Sequence, residues 1–166
     1  MGAALITGCS GSGKSTVAAE LSERGYTAID ADNVIARWLD RSGSPVWMPD
    51  DASATWFDQH TWSWDLTWLD DLIASADTMY VCGAADNIAR AWTRFERVYL
   101  LAISEATMLS RVDDQDRLHD FGRRPGQREW IRRWRPRYQD EVLALGAIEV
   151  DADRDLAAVV DTIVGG

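Results

Sequence analysis

The run Gly8-Cys9-Ser10-Gly11-Ser12-Gly13-Lys14-Ser15 constrains this 166-residue chain more than any other feature of it. Its spacing, G-x-x-x-x-G-K-[ST], lets successive backbone N–H groups turn toward one another's side and then adds a lysine and a hydroxyl, an arrangement that cradles phosphate groups. Ala3-Ala4-Leu5-Ile6-Thr7 before it reads as a short buried strand, and Ser15 to Arg24 after it reads as a helix with Val17, Ala18 and Leu21 facing inward. Strand, glycine loop and helix in that order set the positive end of a helix dipole behind a bound anion. Of the 17 basic residues only Lys14 is a lysine. A compact ammonium on a flexible stem suits a point contact with the β/γ-phosphates of a nucleotide, where a planar guanidinium does not.

The rest of the chain alternates strand and helix signals. Tyr26-Thr27-Ala28-Ile29 reads as a second strand ending on Asp30-Ala31-Asp32, and a helix is expected from about Asn33 to Asp40. From Arg41-Ser42-Gly43-Ser44-Pro45 to Thr61 the pattern is irregular and predicts a long functional loop. Leu66, Leu69, Leu72, Ile73 and Ala76 make a helical stripe. Met79-Tyr80-Val81-Cys82 and Val98-Tyr99-Leu100-Leu101-Ala102-Ile103 read as the third and fourth strands, with a short helix containing Ile88, Ala91 and Trp92 between them. Ser104 is placed to cap a helix carrying Met108, Leu109 and Val112. Ile131, Trp134, Tyr138, Val142 and Leu145 predict a long helix kinked at Pro136 and stopped at Gly146. Ala147-Ile148-Glu149-Val150 is the fifth strand, and Leu156, Val159, Val160 and Ile163 close the chain with a helix. Such alternation predicts one α/β domain over 1–166, a parallel sheet with helices on both faces.

The net charge of −10 disfavours nucleic acid as a partner. No apolar run is long enough to span a membrane and no leader precedes the first strand, so a cytoplasmic location is expected. The two cysteines, Cys9 and Cys82, have no metal-ligand spacing. Charge is uneven: eight arginines between Arg117 and Arg137 face only Asp120 and Glu129, giving that stretch +6 inside an acidic protein.

Phosphoryl transfer needs a phosphate cradle, Mg²⁺ with oxygen ligands, cations near the transferring group and a group to orient the attacking hydroxyl. Gly8, Cys9, Ser10, Gly11, Ser12, Gly13, Lys14, Ser15 and Thr16 form the cradle, with ATP and Mg²⁺ as the expected cofactors and Ser15 offering its hydroxyl to the metal. Asp30 and Asp32 leave the second strand beside the loop, so that one can hold Mg²⁺ and the other can orient or deprotonate an acceptor hydroxyl. Aspartates also turn and cap chains, and Asp32 is placed to cap the helix that follows; Asp86 is expected to cap the helix after the third strand. Arg111, Arg117, Arg123, Arg124 and Arg128 lie in or beside a loop, 113–126, that can fold over nucleotide as an arginine lid, with Arg123 and Arg124 the best single candidates. Five of nine tryptophans, Trp47, Trp56, Trp62, Trp64 and Trp68, fall in the irregular region or the start of its helix. They either line an acceptor pocket or fill a core. His60 and His119 are isolated and carry no metal spacing.

Taken together, the loop, the Asp30-x-Asp32 turn, Gly83 after the third strand and the arginine-rich stretch ending in Arg135-Pro136-Arg137-Tyr138 resemble the small P-loop kinases, the group of shikimate, gluconate, nucleoside and nucleotide kinases. The resemblance implies a three-layer P-loop NTPase fold with strand order 2-3-1-4-5, an acceptor-binding insertion about 33–64 and a lid about 113–126. Likeness to shikimate kinases assigns Asp30 to the Mg²⁺ side, Asp32 to the acceptor hydroxyl and Arg117 or Arg123 to the lid. Likeness to nucleoside monophosphate kinases sets Arg37, Arg41 and Arg90 to grip an acceptor, with Gly83 beside it. The chain departs from both: a single Gly83 is followed by two alanines, and no acid stands at the tip of the third strand. The expected activity is ATP-dependent transfer to a hydroxyl of a nucleoside or cyclic metabolite, by a monomer or homodimer. A nucleoside monophosphate kinase and a nucleotide-binding switch with weak ATPase activity are the alternatives.

Overall fold

The computed structural model describes residues 2–115 and 120–166. Five strands, β1 (Gly2–Thr7), β2 (Ala28–Asp30), β6 (Thr78–Cys82), β7 (Arg97–Ala102) and β8 (Ile148–Asp151), form a parallel sheet in the order β2-β6-β1-β7-β8. Counted among these five strands alone, that order is 2-3-1-4-5; the labels run higher because three further strands intervene in the chain. Side chains alternate across the sheet, as the pleat requires. Ile6, Cys82, Tyr99, Leu101 and Val150 pack on one side with α1 (Lys14–Glu23), α6 (Glu105–Asp113) and α8 (Leu156–Gly165). Leu5, Met79, Val81, Val98 and Leu100 pack on the other with α2 (Ala31–Val34), α4 (Leu66–Ala74), α5 (Ile88–Ala91) and the second half of α7 (Pro125–Ala144). Each fully buried aliphatic side chain in these two layers contributes about 1.5–3 kcal/mol.

The expected caps are present where local chemistry suffices to make them. Ser104 Oγ accepts from the Thr107 amide at 3.1 Å and Gly146 ends α7 at φ 102°; Asp65, not singled out from the sequence, caps α4 through Thr67 and Trp68. Helix α7 continues through Pro136 over its 20 residues.

One expected element is replaced by another. The helix from Asn33 to Asp40 is only the four-residue α2; Ala36–Leu39 form β3, which pairs antiparallel with β4 (Pro45–Val46) on one side and β5 (Thr61–Trp64) on the other. The hairpin between β3 and β4 is closed by Asp40, whose carboxylate accepts from the Ser42 amide (2.8 Å), the Ser42 hydroxyl (2.6 Å) and the Ser44 amide (2.9 Å), with Gly43 at φ 83°. These bonds hold the Asp40 carboxyl below the usual range, the Ser42 hydroxyl contributing most. Together with α3 (Ala54–Asp58), this small sheet buries a third cluster: Trp38, Ala52 and Phe57, flanked by Trp56, Trp62, Phe121 and Trp130.

Among the described residues, no helix is long and apolar enough to cross a membrane.

Candidate active site

The carboxyl ends of β1, β2 and β6 open into a cleft of about 690 Å³, where an open parallel sheet places its ligands. Its floor is the glycine loop: Gly8, Ser10, Gly11, Gly13, Lys14, Ser15 and Thr16 line it, and Gly11 and Gly13 take φ 83° and 100° so that the loop can turn back on itself. Cys9 and Ser12 are buried beneath. No side chain caps the N-terminus of α1, so its first amides remain available to an anion.

Lys14 Nζ donates to the carbonyls of Gly8 (2.9 Å) and Cys9 (3.2 Å) and stands 3.7 Å from Asp32 Oδ2. Asp32 lies on α2, with 27% of its side chain exposed in the cleft. Its Oδ1 accepts from the Ala84 amide at 2.9 Å, so it is fixed across the sheet rather than capping its own helix, and Trp62 Nε1 points at the same oxygen from 3.5 Å. Removal from water raises the Asp32 carboxyl above the usual range; the nearby Asp30 charge adds to this, and Lys14, the Ala84 amide and Trp62 oppose it. Gly83 makes this placement possible: a Cβ there would lie 2.9 Å from Asp32 Oδ1 and 2.8 Å from the Trp64 ring.

The second half of the cleft is aromatic. Register pairs Ala36 with Trp64 and Trp38 with Trp62, which turns all four toward the interior and the intervening Arg37 and Ser63 to the other face. Trp38 and Trp62 line the cleft with Met48, Phe121, Trp130 and Trp134. The Trp38 ring lies 5.2 Å from Trp62 and 5.7 Å from Trp130, measured between centroids. On α7, Trp130 stacks on Trp134 (5.3 Å, 25°) and Trp134 on Tyr138 (4.2 Å, 17°), a ladder at i, i+4, i+8. It ends at the phosphate loop, where the buried Tyr138 hydroxyl bonds Thr7 Oγ1 at 2.6 Å. Burial pushes the Tyr138 phenol up.

Asp86 does not cap α5. Its carboxylate accepts from the Trp62 amide (2.7 Å) and from Trp134 Nε1 (2.9 Å), tying β5 to α7; the groups packed against the carboxyl strip part of its water and raise it above the usual range, although the residue keeps an exposed side.

Several residues singled out from the sequence lie away from the cleft. Arg37, on the outer face of β3, pairs with Asp65 at 3.6 Å because strand alternation opposes it to Trp38. Arg90 is exposed on α5 and does not line the cleft. Asp30 ends β2, its carboxylate bonded by Asn33 Nδ2 at 3.0 Å. Arg123 is folded onto the end of α6, donating to the carbonyls of Val112 (3.3 Å) and Asp114, while Arg124 is the exposed residue preceding α7. Arg117 and His119 lie outside the described residues. Among the described residues, the arginine that lines the cleft is Arg111, on α6, 3.5 and 3.4 Å from the Gly11 and Ser12 carbonyls and 2.8 Å from that of Ala152. His60 stacks on Trp56 and bonds its carbonyl.

Solved structures share this fold over nearly the whole chain. Deoxyadenosine kinase from M. mycoides with bound dATP matches with a TM-score of 0.58 and 16% identity, over 98% of this chain and 97% of that one. A gluconokinase from Sinorhizobium meliloti 1021 gives 0.59 and 20%, over 99% and 90%. Shikimate kinase from Acinetobacter baumannii in complex with shikimate gives 0.59 and 17%, over 99% and 94%. No protein-family model and no curated protein matches the sequence.

Proposed function

We propose that this chain, which has the fold of the small P-loop kinases, transfers the γ-phosphoryl group of ATP to a hydroxyl of a small molecule. The observation that carries this reading is one cleft holding the glycine loop, Lys14 and a partly buried carboxylate, Asp32, 3.7 Å from that lysine. Loop amides from Gly8 to Thr16 bind the phosphates, and Lys14 exchanges its two carbonyl contacts for phosphate oxygens. Asp32 orients the acceptor hydroxyl; as the oxygen attacks, its proton passes to Asp32, the new O–P bond forms and the bond to the β-phosphate oxygen breaks, releasing ADP. A carboxyl raised above its ordinary pKa is better matched to that proton than a solvated one. Arg111, beside the loop, is the described cation placed to offset charge on the transferring group.

The donor set suits Mg²⁺. Among the described residues no three His, Cys, Asp or Glu side chains cluster to hold a metal by themselves, whereas a hydroxyl, carboxylates and phosphate oxygens are the ligands of an ion that keeps part of its water shell. Ser15 would hold it, with Asp32, the carboxylate that lines the cleft beside it, reaching through water, and the ion would neutralise charge on the phosphates. The Trp-lined half of the cleft, built by the 33–64 insertion and α7, takes the acceptor.

Acceptor-dependent ADP formation tests the reading. Lys14→Ala is expected to abolish it, and Lys14→Arg to lower it at least about a hundredfold, with circular dichroism unchanged. Turnover near that of the native protein in either variant would show that Lys14 does not meet the transferring phosphate.

A further inference from the structure

The two halves of the cleft differ in the charge they offer a ligand. Among the described residues lining it, the cations are Lys14 and Arg111, and both stand at the phosphate loop, bonded to its carbonyls. The wall opposite is Trp38, Met48, Trp62, Phe121, Trp130 and Trp134. Of the carboxylates lining the cleft, Asp32 is engaged by Lys14 and the Ala84 amide, and Asp114 adds negative charge; Asp86, behind the wall, is engaged by Trp62 and Trp134. The Trp134 indole N–H is committed to Asp86 and its ring is stacked between Trp130 and Tyr138, so it meets the cleft with an apolar ring edge rather than a hydrogen-bond donor.

A carboxylate or phosphate on the acceptor would therefore enter a low-dielectric wall with no arginine among the described residues to receive it, beside the negative Asp32. The arginines expected to grip such a group, Arg37 and Arg90, face elsewhere. A planar ring without charge meets the opposite situation, because several indole faces already held by packing offer it stacking area at little entropic cost. Trp62 fixes the geometry: its ring nitrogen is 3.5 Å from Asp32, so a molecule lying along Trp62 brings a hydroxyl at its edge to the carboxylate.

We propose that the acceptor is an uncharged molecule with a flat ring, stacked in the Trp38–Trp62–Trp130–Trp134 wall and presenting a hydroxyl to Asp32, and that acceptors carrying carboxylate or phosphate are excluded. This rests on the kinase reading above and narrows its substrate class to compounds of the nucleoside kind, recognised by ring faces rather than by guanidinium groups. It excludes a phosphate acceptor and so argues against a nucleoside monophosphate kinase.

The test measures ADP release with ATP and a panel: adenosine, thymidine and pyridoxine as flat uncharged alcohols, shikimate, gluconate and adenosine monophosphate as anions, and choline as a cation. In parallel, quenching of the intrinsic tryptophan fluorescence by each compound is read with a non-hydrolysable ATP analogue bound. The expected result is quenching and turnover with at least one flat uncharged compound and with none of the anions. Trp62→Ala should then raise the acceptor KM at least about tenfold, with the ATP KM unchanged, and Trp62→Phe should recover most of the loss, as a stacking contact requires. Preference for an anion or for choline overturns the proposal, as does the absence of quenching by every flat uncharged compound at millimolar concentration. The kinase reading fails separately: ATP would then give no thermal stabilisation, and no compound in the panel would yield acceptor-dependent ADP.

Discussion

At the Lys14 end of the cleft the chain presents backbone amides, a hydroxyl and two cations, whereas at the Trp130 end it presents ring faces and methionine. The first, Arg111 on α6 apart, is made by one contiguous stretch of the chain following β1, so its geometry depends on local dihedrals at Gly11 and Gly13 and on the helix behind it. The second is assembled from β3, β5, Phe121 and α7, and its rings are held largely through one another and through Asp86. Two ends built so differently should fail independently: damage to the aromatic wall should leave nucleotide binding in place, and damage at the loop should leave the wall folded.

Asp32 stands where the two ends meet, and its replacement should have the largest effect. Asp32→Asn is expected to lower kcat by about 10²–10⁴-fold with little change in ATP affinity, measured by steady-state kinetics. The same variant reports on the cost of the native carboxylate. Because burial raises the folded-state pKa of Asp32 above its unfolded value, the folded protein holds this proton more tightly. The linked stability is therefore full below the unfolded pKa and is lost as pH rises through the folded one. At neutral pH Asp32→Asn should melt higher than the native protein, and the difference should vanish in the acid range. A kcat close to native would remove Asp32 from the reaction, and a lower Tm at pH 7 would mean that its ion pair with Lys14 outweighs desolvation.

Phe57 isolates the aromatic end. It is 2% exposed and packs against Trp38, Trp56, Phe121 and Trp130. Phe57→Ala should cost about 3–5 kcal/mol of stability, read by urea denaturation, and should raise the acceptor KM several-fold. ATP binding, read by thermal stabilisation well below the lowered Tm, should survive. Parallel loss of ATP binding would show that the two ends are one cooperative unit.

This contrast also explains what could be read in advance. The glycine loop, its strand and its helix were legible because the interactions that shape them are mostly local, and β1, β6 and β7, the three central strands of the large sheet, carried the apolar runs typical of parallel strands. The segment from Asn33 to Asp40 was read as a helix because its partners are distant: β3 exists through pairing with Thr61–Trp64, and nothing within eight residues reveals that register. A hint was present in the alternation of Ala36 with Trp38 and of Trp62 with Trp64, and in the Asp40–Gly43 turn. The consequence reached the site, since strand alternation sends Arg37 away from the cleft and Trp38 into it. Trp130 and Trp134 were legible as a helical stripe, but a stripe does not say whether it faces core or ligand. Arg123 and Arg124 were singled out by charge, whereas the guanidinium that reaches the loop is that of Arg111, placed there by α6. Asp86 was read as a cap from its neighbours in sequence, while its partners lie 24 and 48 residues away.

Asp86 also provides the finest test of the contrast. Its two oxygens serve two donors, Oδ2 the Trp62 amide and Oδ1 the Trp134 indole, so it braces β5 against α7 without lining the cleft. Asp86→Asn keeps the shape but leaves only one acceptor oxygen, turning an amide N–H toward one of the two donors. The lost bond is worth on the order of 1 kcal/mol, and it is offset in part because the native carboxylate is itself disfavoured by burial. The expected result is a near-neutral change in stability together with a rise of a few fold in the acceptor KM, while kcat and the ATP KM stay at native values. This split separates a positioning residue from one that only stabilises the fold, since the latter would change Tm and leave the acceptor KM alone. Asp86→Ala removes both acceptors and should enlarge the KM effect in the same direction. If the acceptor KM is unmoved in both variants, the ring packing holds the wall by itself and the aspartate is dispensable to it.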